Sequence, residues 1–176
     1  ARLLGPEPFG LVAIAWLILG LGNLVADFGL ASALVQQKAI TSRDIRYVFT
    51  LQMLVGICMT TAIILAAPWI AGFFRSADAV PVLRAMGCLF VIQAAGQTAT
   101  ALLRRHMDFK PLQMISVGSY LLSYLGVGLP LALGGAGVWS LVAAQVLQAL
   151  VYALAVNLHT RHSWKPTLQP DTSGMF

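Results

Sequence analysis

The basic residues of this chain are sorted by position. None of its eleven Lys and Arg residues falls inside any of five long apolar runs. Lys38, Arg43, Arg46, Arg104, Arg105, Lys110, Arg161 and Lys165 occupy alternate junctions between those runs, and only Arg2, Arg75 and Arg84 occupy the other set. A water-soluble chain has no reason to sort charge this way. A chain threaded through a bilayer does, because short cytoplasmic loops retain Lys and Arg. The pattern predicts an all-α, polytopic membrane helix bundle with a definite orientation.

Composition agrees. The 176 residues are 59% hydrophobic and 10% charged, with a mean hydropathy of +0.82. Soluble domains carry about 25% charged residues, so this chain has too few to cover a water-facing surface. The net charge of +5 lies in short loop clusters, not in a basic stripe interleaved with aromatics, which argues against a nucleic-acid partner. Cys58 and Cys88 fall inside apolar runs and behave there as small apolar residues. No cysteine spacing points to a disulfide framework or to zinc.

About 20 helical residues cross 30 Å of hydrocarbon. The runs predict spans at about 10–35, 47–73, 85–103, 112–133 and 138–158. Thr41 or Ser42 is placed to cap the second helix. Arg75 to Asp78 links spans two and three, Arg104 to Pro111 links three and four, and Gly134-Gly135-Ala136-Gly137 makes a tight turn. Pro68 and Pro130 should distort the last turns of their spans. Trp69, Trp139 and Trp164 fall where interfacial aromatic belts lie, whereas Trp16 does not. The basic loops near 36–46, 104–111 and 159–171 are expected in the cytoplasm. The chain opens without Met and ends on Gly174-Met175-Phe176, as a piece of a longer chain would.

Polar residues within the spans are the candidate site. Asp27 is the only carboxylate well inside a span, with Asn23 one helical turn before it. An intramembrane acid is costly and marks function by default, although a contact at the helix end would also account for one at this shallow depth. Gln93 and Gln97 are spaced i, i+4 among small residues. They are suited either to bind a sugar or to join helices through hydrogen bonds. Gln52, Gln145, Gln148, Ser116, Ser119, Ser123 and Tyr124 add polar points that fit packing individually. Together they make the helices more hydrophilic than lipid requires, which implies a bundle around a polar interior. His106, His159 and His162 lie at junctions, away from any nucleophile or paired acids. No enzyme, metal site or cofactor is expected.

Three segments carry a resemblance. They are Ala1-Arg-Leu-Leu-Gly-Pro-Glu-Pro-Phe-Gly-Leu-Val-Ala, Ala26-Asp-Phe-Gly-Leu-Ala-Ser-Ala-Leu-Val-Gln-Gln-Lys and Leu102-Leu-Arg-Arg-His-Met-Asp-Phe-Lys. With the glycine turn and Val138-Trp139-Ser140, the chain resembles bacterial oligosaccharide flippases of the multidrug/oligosaccharidyl-lipid/polysaccharide superfamily. The resemblance implies a transporter with two six-helix lobes in the bacterial inner membrane. Such a transporter flips undecaprenyl-diphosphate-linked oligosaccharide to the periplasmic face for surface polysaccharide and lipopolysaccharide synthesis. Residues 1–158 would be an incomplete N-terminal lobe, helices two to six. Residues 159–176 would be a loop towards a C-terminal lobe absent from this sequence. The implied partners are the lipid bilayer and the lipid-linked oligosaccharide. Cavity Arg and Lys neutralise the diphosphate in such proteins, and Arg104 and Arg105 are the nearest counterparts here. A cation-coupled drug exporter of the same superfamily would need Asp27 as its coupling acid. A membrane-embedded glycan-assembly enzyme would need paired acids, Arg or His on an outer loop.

Overall fold

The computed structural model describes residues 41–74, 76 and 78–160, together with residues 10, 13, 15–20 and 22 of the first apolar run. Helices account for nearly all of them, and no strand occurs among the described residues. The elements are α1 (Ser42–Phe73), α2 (Ala79–Gly87), α3 (Leu89–Arg105), α4 (Phe109–Ser123), a π-helical turn (Tyr124–Gly128), α5 (Leu129–Leu133) and α6 (Val138–Thr160). Four stretches are long and apolar enough to cross a membrane: α1, α2 with α3, α4 through α5, and α6. The first predicted span is helical at its described positions.

Local chemistry sets the boundaries. Thr41 caps α1 through a capping box: its hydroxyl accepts from the Asp44 amide at 3.3 Å, and its own amide donates to Asp44 Oδ2 at 3.0 Å. These bonds satisfy donors that a helix start leaves open. The helix therefore begins before the apolar run that predicted it, and Arg43 and Arg46 occupy its first turns. Hydropathy marks only the part of a helix in hydrocarbon, whereas hydrogen bonding carries the helix into the polar interface. For the same reason α4 starts at Phe109 and includes Lys110, and α2 starts at Ala79 and includes Arg84, which is exposed.

The α2–α3 break at Cys88 has no counterpart in the apolar pattern. Ile63 Cγ2 of α1 approaches within 3.1 Å of where a Cβ on Gly87 would stand, so a glycine lies at this crossing. Thr60 on α1 donates to the Gly87 carbonyl at 3.0 Å. Pro68 is tolerated within α1, which continues to Phe73. Pro130 acts upstream instead. It has no amide to offer the Gly126 carbonyl, and the ladder shifts register so that the Leu129 amide reaches Tyr124 O across the π-helical turn.

Three helices end in the same six-residue bond; in α1 the Ser76 amide returns to Ala71 O at 3.0 Å. In α3 and α5 the Asp108 amide returns to Leu103 O at 3.0 Å and the Ala136 amide to Leu131 O at 3.0 Å. Each of these two turns takes one left-handed residue. Gly135 supplies it at φ 79° in the predicted glycine turn, while Met107 supplies it at φ 58° in the basic loop.

α3 is the central helix. Half of the most apolar window of α2–α3 is buried, against 17% for α1 and 28% for α6. α3 packs between α1 and α6, and α4 with the π-helical turn packs chiefly on α6 and also touches α3. Small residues permit close approach: Gly56 of α1 meets Ala94 and Phe90, and Gly96 of α3 meets Ala153 of α6. The main core joins Leu83, Met86, Leu89 and Phe90 to Ala67, Ala71 and Val142. Large apolar side chains point outward, including Leu65, Trp69, Phe73, Met114 and Leu125. Water would reject such a surface and lipid accepts it. The protein is an all-α, multi-pass membrane bundle.

Candidate functional site

The polar residues of α3 form one stripe. Gln93, Gly96, Gln97, Thr100 and Arg104 recur at helical spacing and line a cavity of about 410 Å³. The facing stripe on α6 is Gln145, Gln148, Ala149 and Tyr152, and Ser116 of α4 completes the wall. The volume lies in the range of small-molecule sites, roughly 300–1,000 Å³. From Leu89 at one end to Arg104 at the other, the lining follows α3 for about 22 Å at 1.5 Å per residue.

Beside Leu89, Gly96 and Ala149, the described lining residues offer amides, hydroxyls and a single cation, and no carboxylate. Among the described residues, the side chains of Gln93, Gln97 and Gln148 make no hydrogen bond within the bundle, so these amides remain open to a guest. Thr100 and Tyr152 are tied to each other at 3.1 Å. The Thr100 hydroxyl proton already goes to Gly96 O at 2.9 Å. Tyr152 must therefore be the donor of that pair, which leaves its oxygen as an acceptor. Trp16, half exposed, donates its indole N–H to Gln145 Oε1 at 2.7 Å. This bond joins the first apolar run to α6.

Away from the cavity the polar side chains are enclosed, towards α1 and also along α6. Gln52 of α1 is buried, and its Oε1 accepts from Thr98 at 2.6 Å. Asn157 of α6 is also buried and donates to Ala95 O at 2.8 Å and Ala153 O at 2.7 Å. Two buried oxygens, Ser123 Oγ beside the π-helical turn and Asn157 Oδ1, have no hydrogen-bond partner.

The structure brings the sequence-predicted Gln93, Gln97 and Arg104 into one cavity. Arg105, one residue on, lies about 100° round the helix and does not line it. Asn23 and Asp27 lie outside the described residues. Gln145, Gln148 and Ser116, which fit packing when read singly, line the cavity. Gln52, Ser119 and Ser123 are buried away from it. Tyr152 was not singled out by sequence, and Thr100 only as one of the small neighbours of Gln93 and Gln97. Their signal was positional: 93, 97, 100 and 104 form one helical face, and 145, 148, 149 and 152 form another.

Five of the six described Lys and Arg residues gather at one end of the bundle, and Arg84 of α2 lies towards the other. Arg43 and Arg46 open α1, Arg104 and Arg105 close α3, and Lys110 begins α4. Trp69 and Trp139 lie near the other end and are exposed. Trp164 lies outside the described residues.

A family described as "Polysaccharide biosynthesis protein" matches residues 1–175. The chain is 33% identical over 151 residues to the succinoglycan biosynthesis transport protein ExoT of Rhizobium meliloti, covering 86% of this chain and 30% of that protein. It is 26% identical over 151 residues to the lipopolysaccharide biosynthesis protein WzxC of Escherichia coli, with the same coverage. It is 26% identical over 153 residues to the teichuronic acid biosynthesis protein TuaB of Bacillus subtilis, covering 87% of this chain and 32% of that protein. The chain thus spans about a third of the length of these relatives. No solved structure matches it. The chain belongs to the polysaccharide biosynthesis protein family.

Proposed function

We propose that this member of the polysaccharide biosynthesis protein family is part of the N-terminal lobe of a lipid-linked oligosaccharide flippase. It would carry undecaprenyl-diphosphate-linked oligosaccharide from the cytoplasmic to the periplasmic leaflet of the inner membrane. The observation that carries this assignment is the cavity between α3 and α6, whose described lining has neutral hydrogen-bonding groups, one arginine and no acid. Sugars need dense, uncharged donors and acceptors. A diphosphate needs a cation, and arginine meets phosphate oxygens in bidentate geometry. A cationic drug would need a carboxylate or an aromatic cage.

In this arrangement the end bearing Arg43, Arg46, Arg104, Arg105 and Lys110 faces the cytoplasm. The diphosphate enters beside Arg104, and the glycan extends along Gln97, Gln93 and the facing glutamines. The rest of the cavity wall, and the alternation between leaflets, would come from a C-terminal lobe. The relatives, about three times as long, have room for one.

The test uses the full-length protein in cells that lack their own flippase. Arg104→Gln should lower surface polysaccharide about tenfold, equivalent to about 1.4 kcal/mol, and unflipped lipid-linked intermediate should accumulate on the cytoplasmic leaflet. Unchanged surface polysaccharide at normal protein abundance would contradict the loading role of Arg104.

A further inference from the structure

Amide side chains present a donor and an acceptor, and which one faces a cavity decides what they bind. For most glutamines in this bundle nothing settles the choice. Gln145 is different. Its partner is the indole N–H of Trp16, at 2.7 Å. An indole nitrogen is a donor only, so the atom it meets must be the amide oxygen. That leaves the NH2 group as the free polar end of a residue that lines the cavity.

Tyr152, two turns along α6, is oriented in the opposite sense. Thr100 has one hydroxyl proton, and Gly96 O takes it at 2.9 Å. The 3.1 Å contact then uses the Tyr152 proton, and the phenol offers the cavity an acceptor. The lining is therefore polarised along α6. Tyr152, nearer the Arg104 end, faces the cavity as an acceptor, and Gln145, nearer the opposite end, faces it as a donor. Gln52 is an internal contrast. Its oxygen is likewise taken, by Thr98 at 2.6 Å, but it is buried between α1 and α3 and selects nothing.

We propose that Gln145, locked by Trp16, is a specificity-determining residue that reads a proton-free oxygen on the glycan. The chemical class is a carboxylate or an acyl carbonyl substituent. A plain hydroxyl adapts to a donor or to an acceptor and gives little discrimination. A carboxylate or carbonyl can only accept, so it matches the fixed NH2 of Gln145. No acidic residue among the described lining opposes a carboxylate there. A site built around one polar partner discriminates strongly against a ligand that mismatches it. The proposal rests on the flippase assignment.

The experiment supplies full-length protein to cells lacking their own flippase, with three defined lipid-linked repeat units. One carries a uronic acid, one an N-acetylated sugar, and one only neutral hexoses. Surface polysaccharide is measured per unit of protein, and each variant is scored by the ratio between units, so loss of folded protein cancels. Gln145→Glu still accepts from Trp16 but turns a second acceptor to the cavity. It should lower export of the uronate unit about tenfold or more relative to the neutral unit. A drop for the N-acetylated unit as well identifies the carbonyl as a second source of the same contact; no drop there restricts the site to carboxylates. Trp16→Phe unlocks the amide without removing it, and should shift the ratios in the same direction by about threefold. Equal effects on all three units in both variants would overturn the proposal. Wild-type protein that exports none of the three would overturn the flippase assignment, and this proposal with it.

Discussion

The two sides of α3 bury glutamines to opposite ends. Towards α1, Gln52 is enclosed, bonded to Thr98, and flanked by the Gly56–Ala94 contact. Towards α6, Gln93 and Gln97 line open volume with Gln145, Gln148 and Tyr152. The residue type is the same and the neighbours differ. Where both helices offer small residues, the backbones close and the amide becomes interhelical glue. Towards α6 the backbones also close, at Gly96 and Ala153, but bulkier polar side chains flank that contact and their amides line a cavity. A polar residue in a membrane helix is therefore read by what it faces across the seam. Its cost in hydrocarbon is met in either case.

The contrast can be broken most severely at Gly56. A Cβ there would stand 2.6 Å from Ala94 Cβ and 3.0 Å from Phe90 O. Gly56→Leu should destabilise the bundle by more than about 2 kcal/mol through overpacking. The expected result is loss of monodisperse protein after detergent extraction. On the open side, Gln93→Leu with Gln97→Leu should leave extraction and melting temperature nearly unchanged, within about 0.5 kcal/mol. The same double variant should cut export about tenfold, or about 1.4 kcal/mol. If it unfolds the protein instead, the cavity amides are structural and the contrast collapses.

Gln52→Leu removes the acceptor for Thr98 and should cost about 1 kcal/mol of stability, as interhelical hydrogen bonds in membranes do. Export per folded molecule should stay the same. Tyr152→Phe deletes one hydroxyl from the cavity and one bond to Thr100. It should lower export by about two- to threefold and stability by about 0.6 kcal/mol, seen in a shallow shift of melting temperature.

Much of this architecture was legible in the sequence because membranes impose crude rules. Apolar run length marked four helices, and most of the basic residues marked one end of the bundle. Thr41 and Asp44 stand at the spacing of a capping box, and the glycine turn after α5 stands where left-handed backbone is needed. Gln93 and Gln97 were visible because two amides one turn apart in a span are costly without a purpose. The rest depended on which faces meet. Gln145 and Gln148 read as packing because nothing local distinguishes them from Gln52. Tyr152 was missed, and Thr100 read only as a small neighbour, because amphipathic residues sit as readily against lipid headgroups as in a cavity. The α2–α3 break at Cys88 leaves hydropathy unchanged and lies where α1 crosses close to Gly87. Met107 occupies a left-handed position that glycine usually fills, which composition cannot foresee.

The central claim is that the α3–α6 seam is a water-accessible path for the glycan while the α1–α3 seam is sealed. Cysteine labelling in the full-length protein tests it most directly. Cys58 and Cys88 are replaced by serine, and Gln97→Cys and Gln52→Cys are compared for reaction with a membrane-impermeant thiol reagent. The account predicts that Gln97→Cys reacts at least about tenfold faster, because the thiolate needed for reaction forms only where water reaches it. Added lipid-linked oligosaccharide should slow that reaction. Equal rates at the two positions, or a faster reaction at Gln52→Cys, would contradict it.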